Sequence, residues 1–177
     1  RRVYAVPDGW LAALDRGGLL RYDTGKSAWK RIGTVTGEPA FESETNAPPK
    51  KGKSNVSKKP LGPRPLNLVV LDMAFTRDAW YAATNDGLLL SRDQGVTWVI
   101  TPVGAVVLPA RSVRVSPDGK NFWIVTLRGM VFSGDAGVTW AWRDLPLEAG
   151  GALRLDAAGE STLLAIAGKG LFISRDS

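Results

Sequence analysis

The sequence predicts an all-β fold, a β-propeller of four-stranded antiparallel blades, and the first observation behind that reading is a repeat. Ser91-Arg92-Asp93-Gln94-Gly95-Val96-Thr97-Trp98 returns as Ser133-Gly134-Asp135-Ala136-Gly137-Val138-Thr139-Trp140, and Ser174-Arg175-Asp176-Ser177 opens a third copy. The second observation is the period. Asp93 and Asp135 are 42 residues apart, and Asp135 and Asp176 are 41 apart. Four strands of about five residues with their turns fill about 40 residues, the size of one propeller blade.

The blade between the two complete motifs is read directly. Ser112 to Ser116 alternates as a first strand, Pro117-Asp118-Gly119 turns, Phe122 to Thr126 is a second strand, Arg128-Gly129 turns, Val131-Phe132 leads a third, and Trp140 to Arg143 forms a fourth. The same frame fits Leu68 to Val103, with Asn85-Asp86-Gly87 in the turn where Arg128-Gly129 sits. In Ala152 to Ser177 it supplies strands at Ala152 to Asp156, Leu163 to Ala167 and Leu171 to Ser174, without a fourth. A degenerate copy occupies Arg2 to Gly33, where Asp23-Thr24-Gly25-Lys26-Ser27-Ala28-Trp29 is a worn motif. The expected organisation is therefore a blade over residues 1–36, a basic insert over 37–66, blades over 67–104 and 105–146, and an incomplete blade over 147–177. About four blades with an open last sheet imply a piece of a larger ring, closed by further blades of the same parent chain or by a second copy.

Composition removes several function classes. The 177 residues contain no cysteine and no histidine, so disulfides, thiolate metal sites, Ser-His-Asp chemistry and His-based zinc sites are excluded. No metal ligand set and no cofactor are expected. No apolar run approaches the roughly 20 residues that span a bilayer. The net charge of +6 equals the contribution of Lys50, Lys51, Lys53, Lys58, Lys59 and Arg64 in a stretch from Thr45 to Leu66 that has no acid, so the basic balance belongs to the insert. Six of the eleven prolines lie between Gly37 and Pro65, without a hydrophobic period, which reads as a long loop. It holds no aromatic between Thr45 and Leu66 for base stacking, and nucleic acid is not expected as a partner.

The repeated motif reads as a hairpin staple. Asp93 and Asp135 are placed to accept backbone N–H groups of their own turn, and Gly95 and Gly137 permit positive φ. Thr97 and Thr139 close the turn from the other side, and Trp98 and Trp140 enter the fourth strand as wedges able to bury roughly 150–250 Å² each. Asp176 starts the partial third copy. An EF-hand loop would need about five oxygen ligands ending in a bidentate Glu, which neither copy supplies.

On these eight positions, present twice with a half copy and a worn one, the chain resembles the Asp-box, or bacterial neuraminidase repeat, propellers. In character it is similar to the photosystem II stability and assembly factor-like and sortilin-type members. The resemblance implies that the box is structural and sits between third and fourth strands. It also implies a bacterial, secreted setting, extracellular or periplasmic. The function expected is a non-catalytic binding or scaffold module for a protein, peptide or glycan. The alternative is a sialidase-like or other glycoside hydrolase propeller. Against it, the family's Phe-Arg-Ile-Pro hallmark is replaced by Lys30-Arg31-Ile32-Gly33, and no facing carboxylate pair stands out, so no catalytic residue is named.

Two sets of candidate binding residues follow from propeller geometry. Turns joining second to third strands share one rim and hold Arg16, Asn85, Asp86, Arg128 and Lys169, and the basic insert is expected to emerge there. First strands line the channel. Asp72, Arg114 and Arg154 are expected at one register of those strands, either as a salt-bridged ring or as a carboxylate-gripping site.

Overall fold

The computed structural model describes residues 2–36, 62–101, 103, 109–126, 129–143, 152–157, 163–167 and 170–174; in the last three segments only Leu155, Gly170 and Ile173 have described side chains. Arg128, Lys169 and Asp176 lie outside these residues.

The chain forms four successive sheets, the blades of a partial propeller. Sheet 1 runs β1 (Arg2–Val6), β2 (Gly9–Ala13), β3 (Leu19–Asp23), β4 (Ala28–Ile32), paired in that order. Next come β5 (Thr34–Thr36), β6 (Arg64–Pro65), β7 (Val70–Phe75), β8 (Trp80–Thr84), β9 (Gly87–Ser91) and β10 (Thr97–Thr101), which together make sheet 2. Its order is β6-β5-β10-β9-β8-β7. Sheet 3 comprises β11 (Ala110–Val115), β12 (Phe122–Thr126), β13 (Met130–Ser133) and β14 (Ala141–Arg143). Sheet 4 comprises β15 (Ala152–Ala157), β16 (Leu163–Ala167) and β17 (Gly170–Ser174).

Period-two alternation gives each sheet two faces, and the apolar faces turned toward an adjoining sheet are buried on it. Leu11, Ala13 and Leu19 of sheet 1 bury against Met73, Trp80, Ala82, Leu89 and Trp98 of sheet 2. The other face of sheet 2, with Ala74, Ala83 and Leu88, packs on Val113, Ile124 and Val131 of sheet 3. Trp123 and Val125 on the far side of sheet 3 then meet Leu155 of sheet 4. Edge-to-face rings cross two of these layers, Tyr4 with Phe75 at 5.9 Å and Tyr81 with Phe122 at 5.0 Å.

The flanks of the basic segment depart from expectation. The sequence suggests a bare link between blades, yet β5 pairs in parallel with β10 (Trp98 opposite Val35) and β6 pairs with β5 (Val35 opposite Arg64), so sheet 2 is widened at its outer edge. Leu66 is fully buried beneath this edge. A three-residue and a two-residue strand carry no periodicity that a sequence can display.

Sheet 1 meets the chain entering sheet 2 at one turn. Gly17 has φ of +89°, and a Cβ on it would fall 2.0 Å from the Asn67 carbonyl oxygen, while Gly18 N–H donates to Leu68 O at 3.0 Å. Gly17→Ala is expected to cost about 1–3 kcal/mol through overpacking and a disfavoured φ, read as a lower denaturant midpoint with unchanged slope.

Candidate functional site

The octapeptide corner closes on itself. Asp93 Oδ1 accepts Thr97 N–H at 2.8 Å, and Oδ2 accepts the Thr97 hydroxyl at 2.5 Å. Ser91 Oγ donates to Asp93 Oδ1 at 2.8 Å and accepts Gly95 N–H at 2.8 Å. Trp98 Nε1–H donates to Gly95 O at 3.0 Å, which fixes the indole against its own turn. The second copy repeats this with Asp135, Thr139, Ser133, Gly137 and Trp140, the last donating to Gly137 O at 3.0 Å. Two features exceed the sequence reading. Serine is a bridge rather than a spacer, and the positive φ extends to the non-glycine residues Gln94 (φ 55°) and Ala136 (φ 57°) ahead of each glycine. In the worn copy Asp23 Oδ1 accepts Lys26 N–H at 3.1 Å, and Ser27 rather than Gly25 takes positive φ.

These donors act on the carboxylates. Asp135 is held down to about 2 from 3.8 by the Thr139 hydroxyl first, then by Thr139 N–H and the Ser133 hydroxyl. For Asp93 burial pulls upward, but the hydroxyl and N–H of Thr97 and the Ser91 hydroxyl outweigh it and hold the group below its ordinary value. A depressed folded-state pKa stabilises the fold above the unfolded pKa and ceases to do so as pH falls through the folded one. Asp135→Asn should therefore melt below the parent protein at neutral pH, with the gap narrowing between pH 3.8 and about 2 in melts run as a pH series.

At the inner strands one carboxylate ties three sheets together. Asp72, 1% exposed, accepts Arg2 Nη1 at 3.0 Å from sheet 1, and from sheet 3 it accepts Arg114 Nη1 at 2.8 Å and the Ser112 hydroxyl at 2.5 Å. Ser112 Oγ in turn accepts Leu155 N–H of sheet 4 at 3.1 Å. Among the described residues the buried Tyr4 hydroxyl makes no hydrogen bond of ordinary geometry, and burial first, then Asp72, raises its pKa against the lowering pull of the nearby Arg2.

The expected common register of Asp72, Arg114 and Arg154 is corrected. The first strands of sheets 2, 3 and 4 each have a bulge, between Val70 and Asp72, Ala110 and Ser112, and Ala152 and Arg154, whereas β1 pairs with β2 without one. Counted from the bulge, Asp72, Ser112 and Arg154 are equivalent, whereas Arg114 matches Ala74 and Asp156. Spacing from the corner aspartates puts Asp72 and Arg114 alike, 21 residues ahead, because the turn joining first to second strand differs in length: residues 76–79 in sheet 2 but 116–121 in sheet 3. Only the backbone of Arg154 is described.

On the rim, Arg16 is exposed in the turn that Gly18 anchors to Leu68. Asn85 Oδ1 accepts Val69 N–H at 2.9 Å, and Asn85 Nδ2 donates to Asp86 Oδ1 at 2.7 Å, so these side chains brace their own turn. Both turns thereby hold the segment entering β7. Arg31, not singled out in the sequence, clamps the same junction through Gly17 O at 3.2 Å and Asn67 Oδ1 at 2.9 Å.

A depression of about 310 Å³ lies at the opposite rim, lined by residues including Asp8, Arg21, Asp23 and Lys30. Arg21 reaches Asp8 at 3.3 Å and Gln94 Oε1 at 3.4 Å and sits 5.9 Å from the Trp80 ring centroid, linking sheet 1 to the corner of sheet 2. Among the described residues no group of three or more Asp or Glu side chains is arranged to hold a metal, and no helix is long and apolar enough to cross a membrane.

No protein-family model matches the chain, and no curated protein matches it. Solved structures do. YCF48 bound to D1 peptide is 27% identical over 61% of this chain and 38% of that one, with a TM-score of 0.51. The extracellular domain of BT4673 from B. thetaiotaomicron aligns over 98% of this chain and 21% of its own at 14% identity and a TM-score of 0.64. The Niastella koreensis GH74 enzyme aligns over 98% and 28% at 15% identity and a TM-score of 0.61. The last two likenesses speak to the fold alone. The chain spans between about a fifth and two fifths of these neighbours' lengths, and what it shares with them is the stacking of propeller blades.

Proposed function

We propose that this chain is a non-catalytic Asp-box propeller module that binds a protein or peptide on the rim of its second-to-third-strand turns, as an assembly-factor-like scaffold outside the cytoplasm. The observation that carries the reading is the likeness to YCF48, whose structure contains a bound peptide. The corner geometry supports it from the other side. Both oxygens of Asp93 and of Asp135 are engaged within their own turns, which leaves these carboxylates as braces rather than as general acids or nucleophiles.

The rim supplies cations for such a partner: Arg16 is exposed there, and Arg128 and Lys169 are its counterparts in later copies. Guanidinium and ammonium groups select carboxylates, so the partner is an acidic segment. Asn85 and Asp86 shape the turn between them. The test is fluorescence anisotropy with a labelled acidic peptide that ends in a free carboxylate. Arg16→Glu combined with Arg128→Glu should weaken binding by roughly tenfold or more, as loss of about 1.4 kcal/mol or more of charge-assisted contact requires. The melting temperature should be unchanged. Binding that ignores both substitutions, or that disappears with Asp135→Asn in a folded protein, would remove the rim from consideration.

A further inference from the structure

Three departures from the repeat converge on one depression. With Trp10, Trp80 and Phe122 at one register, Arg21 and its partner Lys30 take the places that Leu90 and Val99 hold in sheet 2 and that Phe132 and Ala141 hold in sheet 3. Two cations directly opposite on neighbouring strands repel, which the apolar pairs at this register avoid. The third departure is the worn corner. Asp93 and Asp135 give both oxygens to their own turns, whereas Asp23 Oδ1 accepts Lys26 N–H and its Oδ2 takes no hydrogen bond among the described residues. None of the three helps the fold, and all three side chains line the depression of about 310 Å³.

The charges in it are sorted. Arg21 and Lys30 form one cross-strand pair, and Asp23 follows two residues along β3, about 7 Å from Arg21 on the same face. Opposite Asp23 stands Ala28, too small to fill the space beside the carboxylate. The turn carrying Asp8 lies against this end, since a Cβ on Gly9 would fall 3.4 Å from the Tyr22 carbonyl oxygen. Asp8 holds Arg21 loosely, at 3.3 Å and with its side chain 64% exposed, beyond the roughly 2.7–2.9 Å of a firm charge-assisted bond. Lys30 is exposed and makes no ion pair among the described residues. Because Arg21 reaches Gln94 and the Trp80 ring, the depression is on the face of sheet 1 turned toward sheet 2, away from any blade that precedes sheet 1.

We propose that this depression binds a small zwitterion, an α-amino acid, with its carboxylate between Arg21 and Lys30 and its ammonium donating to Asp23, Asp8 completing the acidic end. Two cations against two carboxylates leave the lining without net charge, so it favours neither a bare anion nor a bare cation. An α-amino acid carries both charges on one carbon and matches two opposite clusters one strand step apart. Ile32 supplies an apolar wall for its side chain. The volume stands at the small end of the roughly 300–1,000 Å³ of ligand clefts, which suits a monomer. The site is on the rim opposite Arg16 and is independent of the peptide surface proposed there.

Two-dimensional amide NMR of the 177-residue chain titrated with L-valine tests this. The amides of Tyr22, Thr24 and Lys30 should shift saturably. Isovalerate and isobutylammonium, which each keep one of the two charges, should bind at least about tenfold more weakly. Lys30→Ala and Asp23→Asn should each weaken L-valine by about tenfold or more at an unchanged melting temperature, because asparagine keeps the acceptor for Lys26 N–H. Arg16→Glu should leave the titration unaltered, so failure here is distinct from failure of the peptide surface. No saturable shift, isovalerate binding as tightly as L-valine, or an affinity unmoved by both variants would overturn the proposal.

Discussion

Trp98→Ala is expected to lower stability by about 3–5 kcal/mol, the range for emptying a buried aromatic site, and it should exceed the effect of Trp140→Ala. The two residues hold the same place in the same corner and make the same indole bond to a glycine carbonyl. They differ in what covers them. Trp98 is fully buried in the core between sheets 1 and 2, with β5 paired alongside and Gly33 so close that a Cβ there would lie 3.3 Å from its Nε1. Trp140 is only partly buried. Trp29, in the worn copy, is 45% exposed. One sequence position thus has three energetic weights, set by its cover. Trp98→Phe, which refills most of the volume but forfeits the bond to Gly95, should recover the larger part of the loss in guanidinium unfolding followed by circular dichroism.

Asp72→Ala should cost about 3–5 kcal/mol as well, the penalty for stranding the partners of a buried ion pair. Its carboxylate meets Arg114, whose side chain is 12% exposed, together with Arg2 and the Ser112 hydroxyl. Removal leaves a partly buried guanidinium next to a hydroxyl that orients the backbone of sheet 4 through Leu155 N–H. The damage should extend over three sheet contacts. Hydrogen exchange should therefore show protection lost in β1, β11 and β15 together, whereas Trp98→Ala should first loosen sheets 1 and 2. Asp72→Asn keeps the shape and one acceptor, and should fall between the parent and the alanine variant.

Most of the architecture is legible in the sequence because the repeat unit is also the folding unit. The Ser-x-Asp-x-Gly-x-Thr-Trp pattern encodes a local turn whose partners are at most four residues apart, so spacing alone locates it. β12 and β16 lie at the expected bounds for the same reason: turns on both sides punctuate an apolar run. Two kinds of feature escape. β5 and β6 are too short for periodicity: β5 depends on the outer edge of a sheet more than sixty residues away in sequence, as Trp98 opposite Val35 shows, and β6 depends on β5. The inner register is hidden by turn length: the turn from first to second strand is two residues longer in sheet 3 (116–121) than in sheet 2 (76–79), and this is why Ser112 rather than Arg114 is the true counterpart of Asp72. The braced state of Asn85 and Asp86 was equally invisible, since a polar pair beside glycine looks the same whether it faces solvent or a neighbouring strand.

The account rests on the octapeptide corner driving a tryptophan between adjoining blades. Exchange of the indole Nε1 protons, followed by NMR in the parent protein, reads this out at both corners. The Trp98 proton, bonded to Gly95 O at 3.0 Å within a residue of zero exposure, should exchange only through global unfolding, and the Trp140 proton should be protected to a lesser degree. A Trp98 indole that exchanges as fast as those of the exposed Trp10 and Trp29 would contradict it.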